Sequence, residues 1–245
     1  MKQFVLYILI GFLAQLIDGS IGMAYGVSCR TFLRTATRLP APIASAVIHV
    51  AEIPSSLVSG ISHARIGNVD RALLKRLLIP GILGGILGAW FLSGLGDRLE
   101  KIIEVYLLAM GAFILYKAIA GTRKVRDPGR LTMPVGFAGG FLDAAGGGGW
   151  GPVVTSTMLA AGGDVKKTIG TVNAAEFLVT VAETTTFAIF LRTLSSYGVV
   201  IAGLILGGVA AAPLAARICK KIPARPLMAL VGLVVILLNL YSLVR

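Results

Sequence analysis

Apolar residues in this chain come in long blocks. Neither the two-residue alternation of a half-buried strand nor the narrow stripe of a surface helix organises them. The blocks are Phe4–Val27, Leu39–Ser62, Leu77–Gly96 and Ile102–Ile119, then Leu131–Ala161, Thr168–Leu191, Tyr197–Ala216 and Leu227–Val244. Leu77–Gly96 and Leu227–Val244 contain no charged residue. About 20 apolar residues in a helix cross a hydrocarbon core of about 30 Å. The pattern therefore predicts an all-α polytopic membrane protein whose segments fall into two sets of four around the basic stretch Gly121–Arg130.

The two sets carry a weak internal repeat. Gly11–Gly26 (GFLAQLIDGSIGMAYG) aligns with Gly136–Gly151 (GFAGGFLDAAGGGGWG), pairing Asp18 with Asp143, Gly22 with Gly147, Gly26 with Gly151 and Tyr25 with Trp150. Val47–Ile53 (VIHVAEI) aligns with Thr171–Phe177 (TVNAAEF), pairing Glu52 with Glu176 and His49 with Asn173. Ile82–Ala89 (ILGGILGA) aligns with Ile205–Ala212 (ILGGVAAA). Three matches in one order, drifting by one residue each, predict two repeat halves, 1–120 and 131–245, joined by the linker 121–130.

The glycines of Phe141–Pro152 (FLDAAGGGGWGP) cannot sustain a helix, each costing about 1 kcal/mol relative to alanine. A break inside an apolar run frees backbone N–H and C=O groups, which survive at membrane depth only if buried in protein or lining a cavity. Freed N–H groups can cradle an anion; the competing reading is that these glycines only let helices pack closely.

Composition agrees with the class and adds a test of topology. The chain is 56% hydrophobic and 14% charged, with a net charge of +12. Its basic residues sit in short loops between apolar blocks, so the charge reads as membrane orientation, and no nucleic-acid partner is expected. The 23 Lys and Arg divide almost evenly if every segment crosses, but about two to one if one segment per half turns back. An odd number of crossings per half makes the repeats inverted, as in many secondary transporters. Charge allows either the first and fifth or the second and sixth segments to turn back; the glycine-rich first and fifth are favoured as the re-entrant or broken ones, because Thr168–Leu191, with Gly170 alone and no proline, should be continuous. Cys29 and Cys219 form no disulfide framework or metal spacing. Met1–Leu16 faintly resembles a leader, but the repeat begins inside it, so a retained membrane segment is expected.

Ionisable groups within apolar segments are costly and usually face the protein interior. Here they are Asp18, Glu52, Asp143, Glu176 and Glu183, with His49 among them. His49 and Glu52 share a helical face, as do Asn173 and Glu176, and Glu183 continues the latter stripe. This outlines a central anion site in which Gly22, Gly26, Gly148, Gly149 and Gly151 supply backbone donors and Tyr25 and Trp150 supply walls. His49, Thr171 and Asn173 would supply side-chain donors. Glu52, Glu176, Asp18 and Asp143 are the proton-coupling candidates. The plainer alternatives are that Asp18 and Asp143 cap their own broken helices and that the glutamates are structural hydrogen-bonders. His49-x-x-Glu52 has metal-helix spacing, with His63 and Cys29 as further ligand types. Because the second half places asparagine at the His49 position, no metal site is expected. No cofactor motif and no catalytic constellation is present, so an enzyme is not expected.

LIDGSIGMAYG, ASAVIHVAEI, GISHARIGNVD and LLIPGILGGILGAW, together with FLDAAGGGGWGP and NAAEF, resemble the sulfite exporter TauE/SafE family of bacterial membrane transporters over nearly the whole chain. The resemblance implies export of a small sulfur-containing anion, sulfite or an organosulfonate, across the inner membrane. Two departures stand beside the expected site. Ser28-Cys29-Arg30 follows the first motif where small polar residues are more typical, and Pro54 interrupts the segment after Glu52. A passive anion channel of the same fold and a membrane-embedded enzyme or redox subunit are the alternative readings.

Overall fold

The computed structural model describes residues 2–36, 39–95, 100–120, 129–161, 163–191 and 194–219, together with 225–226, 229, 232–233, 236–237 and 240. The described residues are helical, with no strand among them. In chain order the helices are α1 (Lys2–Ile21), α2 (Tyr25–Ala36), α3 (Ala41–Arg65), α4 (Arg71–Leu95) and α5 (Glu100–Ala120). A short turn then leads into α6 (Thr132–Gly146), followed by a π-helical turn (Gly151–Thr155) running into α7 (Ser156–Ala160), then α8 (Val165–Phe190) and α9 (Gly198–Ile218). Most of the last apolar block, Leu227–Val244, lies outside the described residues, as do Asp97, Arg192 and residues 121–128 of the linker.

Four described stretches are long and apolar enough to cross a membrane: Lys2–Ile21, Ala41–Arg65, Arg71–Leu95 and Leu194–Ile218. The first and fifth apolar blocks are each broken where the glycines predict. The first parts after Ile21, and the second after Gly146. Thr168–Leu191 is continuous within α8, as its composition requires. Pro54 does not interrupt α3, which runs to Arg65. The missing proline N–H removes one bond of the ladder, and the turn around it is reinforced by the hydroxyls of Ser55 and Ser56, which donate to Glu52 O at 3.0 and 2.7 Å.

The packing has an exchange pattern. Helix α1 lies along α9 and α6 lies along α4, while α3 and α8 pack on each other and on α9 and α4 respectively. Small residues make these approaches close. A Cβ on Gly84 would strike the backbone of α6 at Phe137, and one on Gly207 would strike the backbone of α1 at Ile8 and Phe12.

Polarity is inverted relative to a water-soluble bundle. Leu9, Leu13, Ile79, Leu83, Trp90, Ile189 and Leu206 face outward, as lipid contact demands. Ser45, His49, Glu52, Ser56, Ser59 and His63 form a buried polar seam along α3 with alternating spacings of four and three residues. Asn173, Glu176, Thr180 and Glu183 form the facing seam along α8. Spacing of this kind keeps one stripe of side chains toward a partner helix. Here the stripe is polar, and it runs between the two glycine breaks.

Candidate functional site

The breaks have the same local geometry. Gly22 and Gly147 both adopt φ of 71°, a left-handed conformation that glycine enters without a Cβ penalty. Each donates its N–H back to the carbonyl of the aspartate four residues earlier, Asp18 at 2.5 Å and Asp143 at 2.8 Å. This satisfies one of the orphan carbonyls at each helix end. The Asp143 side chain then bridges the break, Oδ1 accepting the Gly149 N–H at 2.8 Å. That is the capping role available to an aspartate before a helix restart. The Asp18 carboxyl faces the Tyr25 amide and the Glu176 carboxyl, but neither of its oxygens makes a hydrogen bond of regular geometry.

The two breaks also press on each other. A Cβ on Gly26 would sit 2.7 Å from Gly148 Cα and 2.9 Å from Gly147 O. One on Gly151 would strike Met23 Cα and lie 2.8 Å from Gly22 O. Thr155 ties the pair further by donating its hydroxyl to Gly22 O. In this conformation the room at Gly26, Gly148 and Gly151 is taken by the opposing break's backbone.

Arg30, on α2 just past the first break, lies against the second. Its Cδ and Nη1 would be 2.6 Å from a Cβ on Gly147, and Nη1 donates to Ala41 O at 3.1 Å. Among the residues whose side chains are described it is the one buried Lys or Arg. Sequence reading noticed it only as a departure from the family pattern; a cation two turns from a membrane break was the signal that could have enlisted it.

Across the α3–α8 seam, two crossed pairs form. His49 Nδ1 lies 3.3 Å from both Glu52 Oε2 and Glu183 Oε2, and its ring stacks on Phe187 with centroids 5.8 Å apart. At the repeat-equivalent places, the Ser59 hydroxyl donates to Asn173 Oδ1 at 2.6 Å and Asn173 Nδ2 donates to Ile169 O at 3.1 Å. One pair is ionisable and the other neutral. Ligand atoms of His49, Asp143 and Glu183 lie within 4.8 Å of one another, so the second break's aspartate joins the ionisable pair.

The remaining sequence candidates are placed as follows. Trp150 is fully buried, donates Nε1–H to Val172 O at 3.2 Å, and packs its ring edge where a Cβ on Gly81 would be 2.7 Å away. Tyr25 is buried beside Gly208, its hydroxyl 3.7 Å from a Cβ placed there. Thr171 Oγ1 accepts the Asp70 N–H at 2.8 Å, fixing the loop before α4. His63 Nε2 meets Gly19 O at 2.9 Å and its Nδ1 meets Asn68 Nδ2 at 3.3 Å. Neither His63 nor Cys29 joins the His49 group.

Comparison with known proteins then bears on function. The family model described as "Sulfite exporter TauE/SafE" matches residues 7–242. The chain is similar to the "Probable membrane transporter protein YtnM" of Bacillus subtilis (strain 168). The two are 40% identical over 253 residues, covering 100% of this chain and 84% of that protein. No solved structure matches it.

Proposed function

The chain belongs to the sulfite exporter TauE/SafE family of membrane transporters, and from that premise we propose that it is a secondary transporter exporting sulfite or an organosulfonate across the bacterial inner membrane. The substrate path runs where the two breaks meet, between two inverted halves. The observation that carries the anion site is Arg30, a buried guanidinium held against Gly147. Its planar fork suits the oxygens of a sulfite or sulfonate group; the Gly147, Gly148 and Gly149 N–H groups beside it are donated to Asp143 and would turn to an anion only as the break opens.

The repeat reading is supported by equivalent detail at equivalent places. Gly22 and Gly147 share one φ and one hydrogen bond. The pairs α1–α9 and α6–α4 exchange under the repeat, and so do His49–Glu183 and Asn173–Ser59. Loop charge adds the inversion. Breaks whose backbones touch, Gly26 on Gly148 and Gly151 on Met23, form a closed barrier, which favours alternating access over a standing channel. In this reading the coupling proton rides on the facing carboxyls of Asp18 and Glu176, with Glu52 and Asp143 the other charged groups nearby.

The test is flux of labelled sulfite and labelled sulfonates in proteoliposomes, with and without a pH gradient. The expected result is saturable flux that the gradient accelerates and that Arg30→Gln abolishes. Flux that does not saturate makes the protein a channel, and a change in substrate mass makes it an enzyme.

A further inference from the structure

We propose that His49, Asp143 and Glu183, with Glu52 beside them, form an intramembrane site for one divalent first-row transition-metal cation. The three ligands come from α3, the end of α6 and α8, so the site exists only when the second break is docked on the α3–α8 seam. Their ligand atoms lie within 4.8 Å of one another, a span that bonds of about 2.0–2.4 Å to a central ion would bridge. All three side chains are buried.

The unpaired atoms point to a missing partner. Asp143 Oδ2, His49 Nε2 and Glu183 Oε1 have no hydrogen-bond partner, and Glu183 Oε2 has only the 3.3 Å approach of His49 Nδ1. Leaving charged groups in that condition away from water is costly. The groups are nevertheless held in place, as the supporting contacts of a metal ligand would hold them. Asp143 Oδ1 is fixed by the Gly149 N–H, the imidazole is stacked on Phe187, and Gly85 leaves space for Glu183, whose Cγ would be 2.7 Å from a Cβ there.

The repeat supplies an internal comparison. The equivalent position on the other side of the seam is filled by Asn173 and Ser59, neutral and hydrogen-bonded at 2.6 Å. Helix pairing therefore needs no charge at this place. The imidazole and carboxyl groups on the His49 side are donor atoms that the pairing does not need, and a bound cation would use them. One imidazole with carboxylates is a donor set for Mn, Fe, Co, Ni or Zn, whereas magnesium and calcium favour oxygen alone. The site is separate from the anion reading, since a binding measurement needs no sulfite and no flux.

The experiment uses the purified full chain in detergent, stripped with a chelator and titrated with Co2+ and Mn2+. Visible absorption of Co2+, electron paramagnetic resonance of Mn2+ and thermal stability are followed. The wild type is expected to take up one equivalent saturably, with a rise in melting temperature of roughly 5 °C at saturation. The double variant H49N/E183S, which copies the Asn173–Ser59 pair onto the other side, is expected to keep its helical content and lose affinity at least 100-fold. Should it fail to fold, Glu183→Gln, which keeps shape and removes one charged ligand, is expected to weaken binding at least tenfold. No saturable uptake by the wild type, wild-type affinity in both variants, or a response to Mg2+ equal to that to Co2+ overturns the assignment. Sulfite flux by a protein that takes up no metal would overturn this site alone and leave the transporter reading standing.

Discussion

Replacing Gly26 with alanine tests whether the two breaks work as one joint. The added methyl would meet Gly148 Cα at 2.7 Å and Gly147 O at 2.9 Å, where ordinary contact begins at 3.4 Å. Both opposing atoms belong to backbone, so no side chain can swing away. The breaks must separate by several tenths of an ångström. Overpacking of this kind costs about 1–3 kcal/mol, or roughly 3–10 °C in melting temperature for a chain of this length. Gly67→Ala is the control. Gly67 has φ of 77° with nothing within 4 Å of its would-be Cβ, so it pays only the left-handed penalty of about 1–2 kcal/mol. Both variants are measured for thermal stability in detergent and for sulfite flux per folded molecule in proteoliposomes. Gly26→Ala should lose at least tenfold in flux, while Gly67→Ala should lose stability and little flux. Equal flux loss in both would show that destabilisation alone stops transport. Wild-type behaviour of Gly26→Ala would refute the contact between the breaks.

Glu176→Gln keeps shape and hydrogen-bonding capacity but cannot release a proton; it should flatten the dependence of flux on the pH gradient, and an unchanged dependence removes the Asp18–Glu176 pair from coupling. Trp150→Phe should lower stability by about 2–4 kcal/mol, from the lost Nε1–Val172 O bond and the cavity left by the larger ring in a fully buried site, and leave the apparent affinity for sulfite unchanged; a large loss of affinity would place the indole in the substrate wall. Cysteine labelling should place Asp97–Lys101 and Gly121–Arg130 on opposite sides of the membrane, with the second cytoplasmic, and Arg192 opposite the Arg217–Arg225 loop. Eight full crossings in that experiment would remove the inversion.

Much of the architecture was legible because bilayer physics leaves few options. The block Tyr197–Ala216 becomes Gly198–Ile218, and the two glycine-rich blocks break within their motifs, at Gly22 and Gly147. Backbone chemistry demanded those breaks, since no arrangement of Gly146–Gly149 makes a strong helix. The π-helical turn at Gly151–Thr155 was not legible. It arises where the chain re-enters a helix against Met23 and Gly22, a tertiary contact that spacing does not encode. Pro54 misled for the opposite reason: one lost ladder bond is too small a perturbation to stop a 25-residue helix packed on two neighbours.

The site was half legible, and the missing half is the pairing between helices. Spacing of three residues put His49 with Glu52 and Asn173 with Glu176, and a further seven put Glu183 on the same stripe. Nothing in one helix says which residue of the other it meets. The repeat does constrain it, because a contact between His49 and Glu183 requires a contact between their equivalents, Asn173 and Ser59, and both are present. The two contacts then differ in kind. Asn173 accepts from Ser59 at its oxygen and gives one of its two amide hydrogens to Ile169 O. His49 and Glu183 leave polar atoms unspent. The two contacts are thus a neutral hydrogen-bonded joint on one side and an ionisable pair on the other. A bound cation would satisfy the atoms that the seam leaves over on the His49 side, while a shared proton would satisfy the Asp18 oxygens that face Glu176.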